Sequence, residues 1–335
     1  MKILVTGGAG YIGSHFIKAL LSRGISPVVY DNLSTGNRWA LISKDFYEAD
    51  LSDHDAVVDV LRKEKIEAVV HFAASTYVGE SVENPMKYFG NNYSNTLNLL
   101  NAMVKCGVRR FIFSSSCAVY GIPEAIPITE DMPKLPVSPY GAAKHFIEET
   151  LRWYERAYGL KYISLRYFNA AGADPEGQTG EVHDPETHLI PLVLMTAIGK
   201  REFIEVYGTD YETPDGTCIR DYIHVMDLAG AHILALDFLE KEGASGAFNL
   251  GSGRGYSVMD IINASGKITG KTITFKKGIR REGDPPILIA DSSRARSVLG
   301  WRPEYEDMET IIRHAWGWVQ KASMKGYIKN GSSWK

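Results

Sequence analysis

Residues 2–21 constrain the fold more tightly than any other stretch of this chain. Lys2-Ile-Leu-Val-Thr6 is a short apolar run of strand character, Gly7-Gly-Ala-Gly-Tyr-Ile-Gly13 follows at once, and Ser14 to Leu21 has helical texture. Gly8, Gly10 and Gly13 satisfy G-x-G-x-x-G, and Gly7, Gly10 and Gly13 equally satisfy a spacing of three and three. Glycine is needed where a chain must turn tightly, admit a pyrophosphate to its backbone and pack a new helix against a sheet. The helix start then offers free N–H groups and the positive end of its dipole to an anion. Such a loop alone is weak evidence, but strand, helix and a downstream acid together are specific. The acid is Asp31, which ends the second strand, Ser26-Pro-Val-Val-Tyr30. A carboxylate there binds ribose hydroxyls and repels a ribose phosphate, which favours NAD over NADP, although Arg38 lies nearby.

Up to about residue 167 short apolar strands alternate with helical stretches. Ala68-Val-Val-His71, the helical Asn92 to Lys105, Phe111-Ile-Phe113, the stretch around Tyr140 and Tyr162 to Arg166 follow in turn. This alternation predicts an α/β fold, a Rossmann-type doubly wound parallel sheet with helices on both faces. Ligands of such sheets gather at the carboxyl ends of the strands. Gly7, Asp31, Phe72-Ala73-Ala74, Ser114 to Ser116 and Tyr167-Phe168-Asn169 all fall just past strand ends, on one rim. After Asn169 the texture is richer in Gly and Pro and reads as a smaller C-terminal substrate-binding lobe. Ile223 to Leu239 and Phe248-Asn249-Leu250 look like a helix and strand returning to the main body. The expected division is therefore a cofactor domain of residues 1–169, joined again by 221–250, with 170–335 mainly the substrate domain.

A chain of 335 residues with net charge −3 and no polybasic run gives no argument for nucleic acid or an anionic membrane. No apolar stretch is long enough to span a bilayer, and the start enters a strand without a charged leader, so a cytoplasmic location is expected. Cys106, Cys117 and Cys218 are an odd set without C-x-x-C spacing, which reads as reduced thiols. His183 and His188 flank Pro185 in an expected loop, and that spacing gives no metal site.

Ser138-Pro-Tyr-Gly-Ala-Ala-Lys144 places Tyr140 and Lys144 four apart, one helical turn, downstream of Ser114-Ser115-Ser116. A phenol is a poor base at neutral pH unless a cation favours its phenolate. Roughly one such pair is expected by chance in a chain this rich in tyrosine, so the redox cofactor loop is what gives the pair meaning.

Taken in order, Thr6-Gly-Gly-Ala-Gly-Tyr-Ile-Gly13, Tyr30-Asp-Asn-Leu-Ser34, His71-Phe-Ala-Ala74, Phe111-Ile-Phe-Ser-Ser-Ser116 with Val119-Tyr-Gly121, the Tyr140/Lys144 pair, Leu165-Arg-Tyr-Phe-Asn169, Arg220-Asp-Tyr-Ile-His-Val-Met-Asp227, Asn249-Leu-Gly251 and Arg280-Arg-Glu-Gly-Asp284 resemble the extended short-chain dehydrogenase/reductase family. The resemblance covers essentially the whole chain and points to the branch that epimerises nucleotide sugars. It implies a tightly held NAD, a UDP-sugar substrate and a homodimer. It assigns Tyr140 as the base that takes the sugar 4-hydroxyl proton, Lys144 as the cation that lowers the phenol pKa, and Ser116 as a hydrogen-bond partner of the same sugar oxygen. It places Gly7, Gly10, Tyr11, Ile12, Gly13, Asp31, Asn32, Asp50, Leu51, Phe72, Ala73, Ala74, Asn91, Ser114, Ser116, Tyr140, Lys144, Tyr167 and Phe168 around the cofactor. Thr76 stands where some members carry a lysine. For the substrate it implies Ser116, Tyr140, Asn169, His188, Leu189, Tyr207, Arg220, Arg281, Asp284 and Leu288. Arg220 and Arg281 suit a diphosphate, because guanidinium forks fit phosphate oxygens. His188 departs from the asparagine of many relatives, and Leu288 is intermediate at the position that gates the sugar pocket. The expected substrates are UDP-glucose and UDP-galactose.

Two other readings share these motifs. A nucleotide-sugar 4,6-dehydratase needs an acid and a base beside the catalytic hydroxyl, where this chain has Cys117 and Ala118. A non-catalytic NAD-binding sensor would not need Ser116, Tyr140 and Lys144 together. Leu97, Leu100, Met103, Phe146, Ile147 and Leu151 supply apolar faces that either pair across a dimer or bury against the sheet.

Overall fold

The computed structural model describes residues 1–281 and 283–329. Its main sheet has seven parallel strands. Six are β1 (Ile3–Thr6), β2 (Val28–Asp31), β3 (Asp45–Glu48), β4 (Ala68–His71), β5 (Arg110–Ser116) and β6 (Lys161–Tyr167), and the seventh is Gly246–Leu250. Their order across the sheet is Gly246–Leu250, β6, β5, β4, β1, β2, β3. The first crossover runs from β1 to β2, and β4 pairs on the other side of β1, so the switch point opens above the glycine loop.

The strands β1, β2 and β4 are apolar up to their last residue because both faces are covered. One face carries helices Tyr11–Ser22 and Val225–Glu240, with Phe16, Ile17, Leu228 and Leu236 buried among Val5, Val70 and Ile163. Trp301 and Ala295 pack into the same layer, so residues near 295–301 also rejoin the main body. The other face carries helices His54–Lys63, Asn95–Cys106 and Pro139–Tyr158, with Leu99, Leu100, Met103, Ile147 and Leu151 against Phe111 and Phe113. Each such side chain contributes roughly 1.5–3 kcal/mol by leaving water. Leu100, Met103, Ile147 and Leu151 thus bury on the chain's own sheet, while Phe146 stays 45 % exposed and Trp153, seven residues on, 65 %.

The helix expected over 92–105 starts differently. A π-helical segment, Phe89–Ser94, precedes Asn95–Cys106. Its wide turn frees the Asn92 side chain, which accepts from Ser75 N at 2.8 Å and donates to Ser75 O at 2.9 Å, clasping the loop after β4.

The C-terminal lobe has more regular structure than its Gly and Pro content suggests. Strand Ile219–His224 pairs in parallel with Asn169–Ala171 and Ile287–Leu288 and antiparallel with Gly255–Ser257. A second small sheet joins Ile204–Tyr207 to Phe275–Gly278. Helices Leu189–Ala197, Val258–Thr269 and Met308–Met324 close a separate core around Trp318, Ile261, Ile312 and Val193. Among the described residues no helix is long and apolar enough to cross a membrane.

Candidate active site

The glycine loop is shaped by close approach. Gly7 has φ +72°, and a Cβ there would meet Ala73 N at 2.5 Å; one on Gly13 would meet Gly7 O at 2.3 Å. A Cβ on Gly10 would meet only Gly7 O, at 3.3 Å, so the loop stays open on that side. Gly10 is the N-cap of helix Tyr11–Ser22 and supplies no side chain to its first turn. The first-turn N–H groups therefore face that opening, and the loop fits a pyrophosphate.

Asp31 is buried at the end of β2. Its Oδ2 accepts from Ala9 N at 2.9 Å and its Oδ1 from Leu33 N at 2.8 Å. Each carboxylate oxygen keeps a lone pair for a ribose hydroxyl. Arg38, the cation that could favour a ribose phosphate, is paired with Glu48. Asp50 accepts from Asn32 Nδ2 at 2.5 Å and from Ser52 N at 2.8 Å, and Tyr30 donates to the Asp50 carbonyl at 3.0 Å. Leu51 is buried behind it. Phe72, Ala73 and Ala74 follow β4, beside Asn91, whose amide donates to Ser75 Oγ at 3.4 Å.

At the next strand end Ser116 Oγ accepts from Ala118 N at 3.2 Å, so the hydroxyl does cap local backbone. It also lies close enough to the Tyr140 phenol to pull its pKa down. Gly141 makes this meeting possible. A Cβ on it would lie 2.4 Å from Ala118 O, so helix Pro139–Tyr158 sits directly on the Cys117–Tyr120 turn. Ser138 caps that helix by accepting from Gly141 N at 3.2 Å. Lys144 Nζ donates to Ser114 O at 2.7 Å and lies 5.9 Å from the Tyr140 ring centre. Ser114 Oγ hydrogen-bonds Tyr167 Oη, and Phe168 is buried beside Val119 and Tyr120.

The electrostatics differ from the expectation of a phenol lowered by Lys144. Burial first, then Tyr167, pushes the Tyr140 phenol above its ordinary value, and the Ser116 hydroxyl only partly offsets this. Lys144 is itself lowered by burial, from 10.5 to about 7, with Glu148 pulling the other way. The protein thus holds a neutral phenol beside an easily discharged amine.

Two buried networks were not singled out from the sequence. Glu148, one turn beyond Lys144, accepts from Ser115 Oγ at 2.6 Å and from Arg166 Nε at 2.9 Å. Arg166 also donates to Tyr120 Oη at 2.8 Å, and that hydroxyl donates to Asn249 Oδ1 at 2.7 Å. The signal for Glu148 was its i,i+4 spacing from Lys144. Separately, Thr96 donates to Asn92 O at 2.5 Å, so it accepts from His71 Nε2 at 2.9 Å, and His71 Nδ1 accepts from Thr6 at 2.7 Å. This chain fixes the tautomer of His71 and locks β1, β4 and the π segment together.

The substrate residues come from the lobe. Arg220 Nη2 pairs with Asp284 Oδ1 at 2.5 Å, while Asp221 is fully buried and accepts from Ser252, Gly253 and Ala290. Arg281 stacks on Tyr207 at 4.2 Å. The Arg220 charge acts on Cys117, which places this cluster near the end of β5. Asn169 begins the strand after Phe168, and Leu189 is the first residue of helix Leu189–Ala197. Leu288 pairs in register with Arg220 and packs on the cluster containing Phe168 and Tyr120. His188 has its Nδ1 2.6 Å from Glu181, alongside His183 and Glu186, a grouping that the sequence spacing did not reveal.

The fold and this arrangement define an NAD-binding enzyme of the nucleotide-sugar class. The chain belongs to the NAD dependent epimerase/dehydratase family, which matches residues 3–251. It is 50% identical over 327 residues to a UDP-glucose 4-epimerase of Halalkalibacterium halodurans, covering 98% of both chains. The UDP-glucose 4-epimerase of Brucella ovis in complex with NAD is 51% identical with a TM-score of 0.92, over 94% of this chain and 98% of that one. The Bifidobacterium longum enzyme in complex with NAD+ and UDP is 39% identical with a TM-score of 0.92, over 96% and 99%.

Proposed function

We propose that the chain interconverts UDP-glucose and UDP-galactose with a retained NAD, by oxidation at sugar C4 to a 4-keto intermediate and re-reduction on the opposite face. The glycine loop, Asp31 and Lys144 would hold NAD, which would supply the hydride acceptor and donor. Tyr140 first gives its own phenol proton to solvent; as the phenolate its Oη takes the 4-hydroxyl proton and later returns it, and Ser116 Oγ holds the same sugar oxygen by a hydrogen bond. The positive charge of Lys144 favours the phenolate that must exist before this transfer, and its bond to Ser114 O fixes its position. Arg220 and Arg281 clamp the diphosphate, Asp284 orienting Arg220. Asn169, Leu189, His188 and Tyr207 line the nucleotide side, and Leu288 gates the sugar.

The observation that carries this reading is the Ser116–Tyr140–Lys144 group with no second acid beside it. Cys117 is half-buried with its thiol pushed up to about 12 by desolvation, and Ala118 has no titratable group, so elimination of water lacks its acid and base. Conversion of UDP-galactose without added NAD tests it. An epimerase yields UDP-glucose; a 4-keto-6-deoxy product, or no product, overturns the reading. The sugar gate predicts slow or absent turnover of UDP-N-acetylglucosamine, and comparable turnover of both sugar pairs would remove that part.

We further assign residues 1–169 with 221–250 to cofactor binding and the remainder mainly to substrate. A homodimer is supported by the exposed Phe146 and Trp153 on one face of helix Pro139–Tyr158. Sedimentation at micromolar concentration that finds only monomer defeats it. Cys106, Cys117 and Cys218 are all free, which fits a cytoplasmic enzyme.

A further inference from the structure

Beside the glycine loop, and apart from Tyr140, one ligand atom from each of Glu181, His183, Glu186 and His188 lies within 4.8 Å of the other three. His183 Nδ1 is 3.4 Å from Glu181 Oε1 and 3.4 Å from Glu186 Oε2, and His188 Nδ1 is 2.6 Å from Glu181 Oε1 and 3.4 Å from Glu186 Oε1. Ligands about 2.0–2.1 Å from a tetrahedral ion stand roughly 3.4 Å apart, the spacing that recurs here. The 2.6 Å pair would open by several tenths of an ångström.

Ordinary ion pairing does not account for the imidazole orientation. Both Nδ1 atoms are shut off from solvent, yet neither has a hydrogen-bond partner. A protonated Nδ1 so close to a carboxylate would normally aim its N–H at it. Each of these nitrogens instead stands 2.6–3.4 Å from two carboxylate oxygens without an aligned hydrogen bond to either, the arrangement a shared ion would leave. The carboxylate of Glu186 is also braced as a ligand should be. Its Oε1 accepts from Thr187 N and His188 N at 2.9 Å each, which fixes the carboxylate's orientation toward the two imidazoles. Trp318 Nε1 donates to the Glu181 carbonyl at 3.1 Å and Tyr77 Oη to the Pro185 carbonyl at 2.5 Å, so the loop is held from two sides.

We infer that Glu181, His183, Glu186 and His188 form a structural site for one transition-metal dication of the zinc type. Two imidazoles with two carboxylates suit zinc or cobalt better than calcium or magnesium, which take oxygen ligands. Four protein ligands close the coordination sphere, so the ion pins rather than reacts. It fixes His188, the residue preceding helix Leu189–Ala197, and stands against the glycine loop, where the Tyr11 ring lies 6.4 Å from His183. The ion thereby ties the lobe to the cofactor loop, and this holds whatever sugar the enzyme turns over.

The test uses the full-length chain with its bound nucleotide, stripped with a chelator and titrated with Co2+. The inference expects one cobalt per chain, the intense visible bands of four-coordinate cobalt, their loss on adding one equivalent of Zn2+, and a raised Tm. Glu186→Gln and His183→Gln, checked for folding by circular dichroism, should each weaken binding by at least about 10-fold. Absence of the bands and of any Tm shift in the wild type overturns it and leaves imidazolium–carboxylate pairing. Binding undiminished in both folded variants overturns it too. Should the variants not fold, anomalous scattering at the zinc edge from crystals of the zinc-loaded wild type decides, and density anywhere but at these four residues defeats the site.

Discussion

Lys144 reaches back across one strand end to donate to the carbonyl of Ser114 at 2.7 Å, two residues before Ser116, whose hydroxyl lowers the Tyr140 pKa. The catalytic helix and β5 are therefore joined by the same cation that serves the phenol. Its ammonium sits 3 % exposed, where burial penalises its charge. Function here opposes stability.

That opposition has a pH signature. The folded chain holds Lys144 near 7 against 10.5 ordinarily, so between these values the unfolded chain binds more protons and stability rises with pH. The cost is fully present below about pH 7 and gone above about 10.5. Lys144→Met, with nucleotide removed from both proteins, should be more stable than wild type at pH 6.5 by up to a few kcal/mol, with the gap narrowing by pH 9.5. Urea denaturation at the two pH values checks this. A variant less stable at pH 6.5, or a gap independent of pH, contradicts the buried-charge account.

Tyr140→Phe removes one oxygen and little volume. It should retain NAD and UDP while losing roughly 10²–10⁴ in kcat, the range for a lost general base. Fluorescence titration with nucleotide and a coupled UDP-galactose assay separate the two quantities. A near-normal rate would make the tyrosine structural.

What the sequence made legible was local. The glycine loop, Asp31 and the Tyr140/Lys144 spacing each need only neighbours in the chain, and the parallel sheet and NAD-binding class follow from them. Features set by distant packing were not visible. The phenol's electrostatics depend on how deeply the helix sits, which Gly141 and Ala118 decide, so burial overrode the expected effect of Lys144. Glu181 and Glu186 meet the two histidines in a loop that Trp318 and Tyr77 hold from distant parts of the chain, which spacing alone does not show. The lobe's strands were hidden because they are short and pair across gaps of tens of residues, as Ile219–His224 does with Asn169–Ala171.

Gly141 gives a test of geometry separate from chemistry. An alanine there would place a Cβ 2.4 Å from a backbone oxygen that cannot swing aside, so the helix start must move. Gly141→Ala should lower kcat at least about 10-fold, since catalytic contacts tolerate little displacement, with a smaller loss of NAD affinity because the glycine loop and Asp31 are untouched. Alanine is otherwise the better helix former, so an unchanged rate with higher Tm would show that the close approach is dispensable.

Glu148 is the buried counter-charge of Arg166 and the group that holds up the Lys144 pKa. Glu148→Gln leaves Arg166 unpaired among Ser115, Tyr120 and Lys144, and breaking such a pair costs about 3–5 kcal/mol. It also removes the charge that favours protonated Lys144, so the Lys144 pKa should fall further and the pH–rate profile should shift to lower pH. The double variant Glu148→Gln/Arg166→Met removes both charges and should recover part of the stability but not the shifted profile. Denaturation curves give the first quantity and kcat against pH the second. Loss of stability with an unmoved pH profile would confine Glu148 to holding Arg166 and sever it from the catalytic lysine.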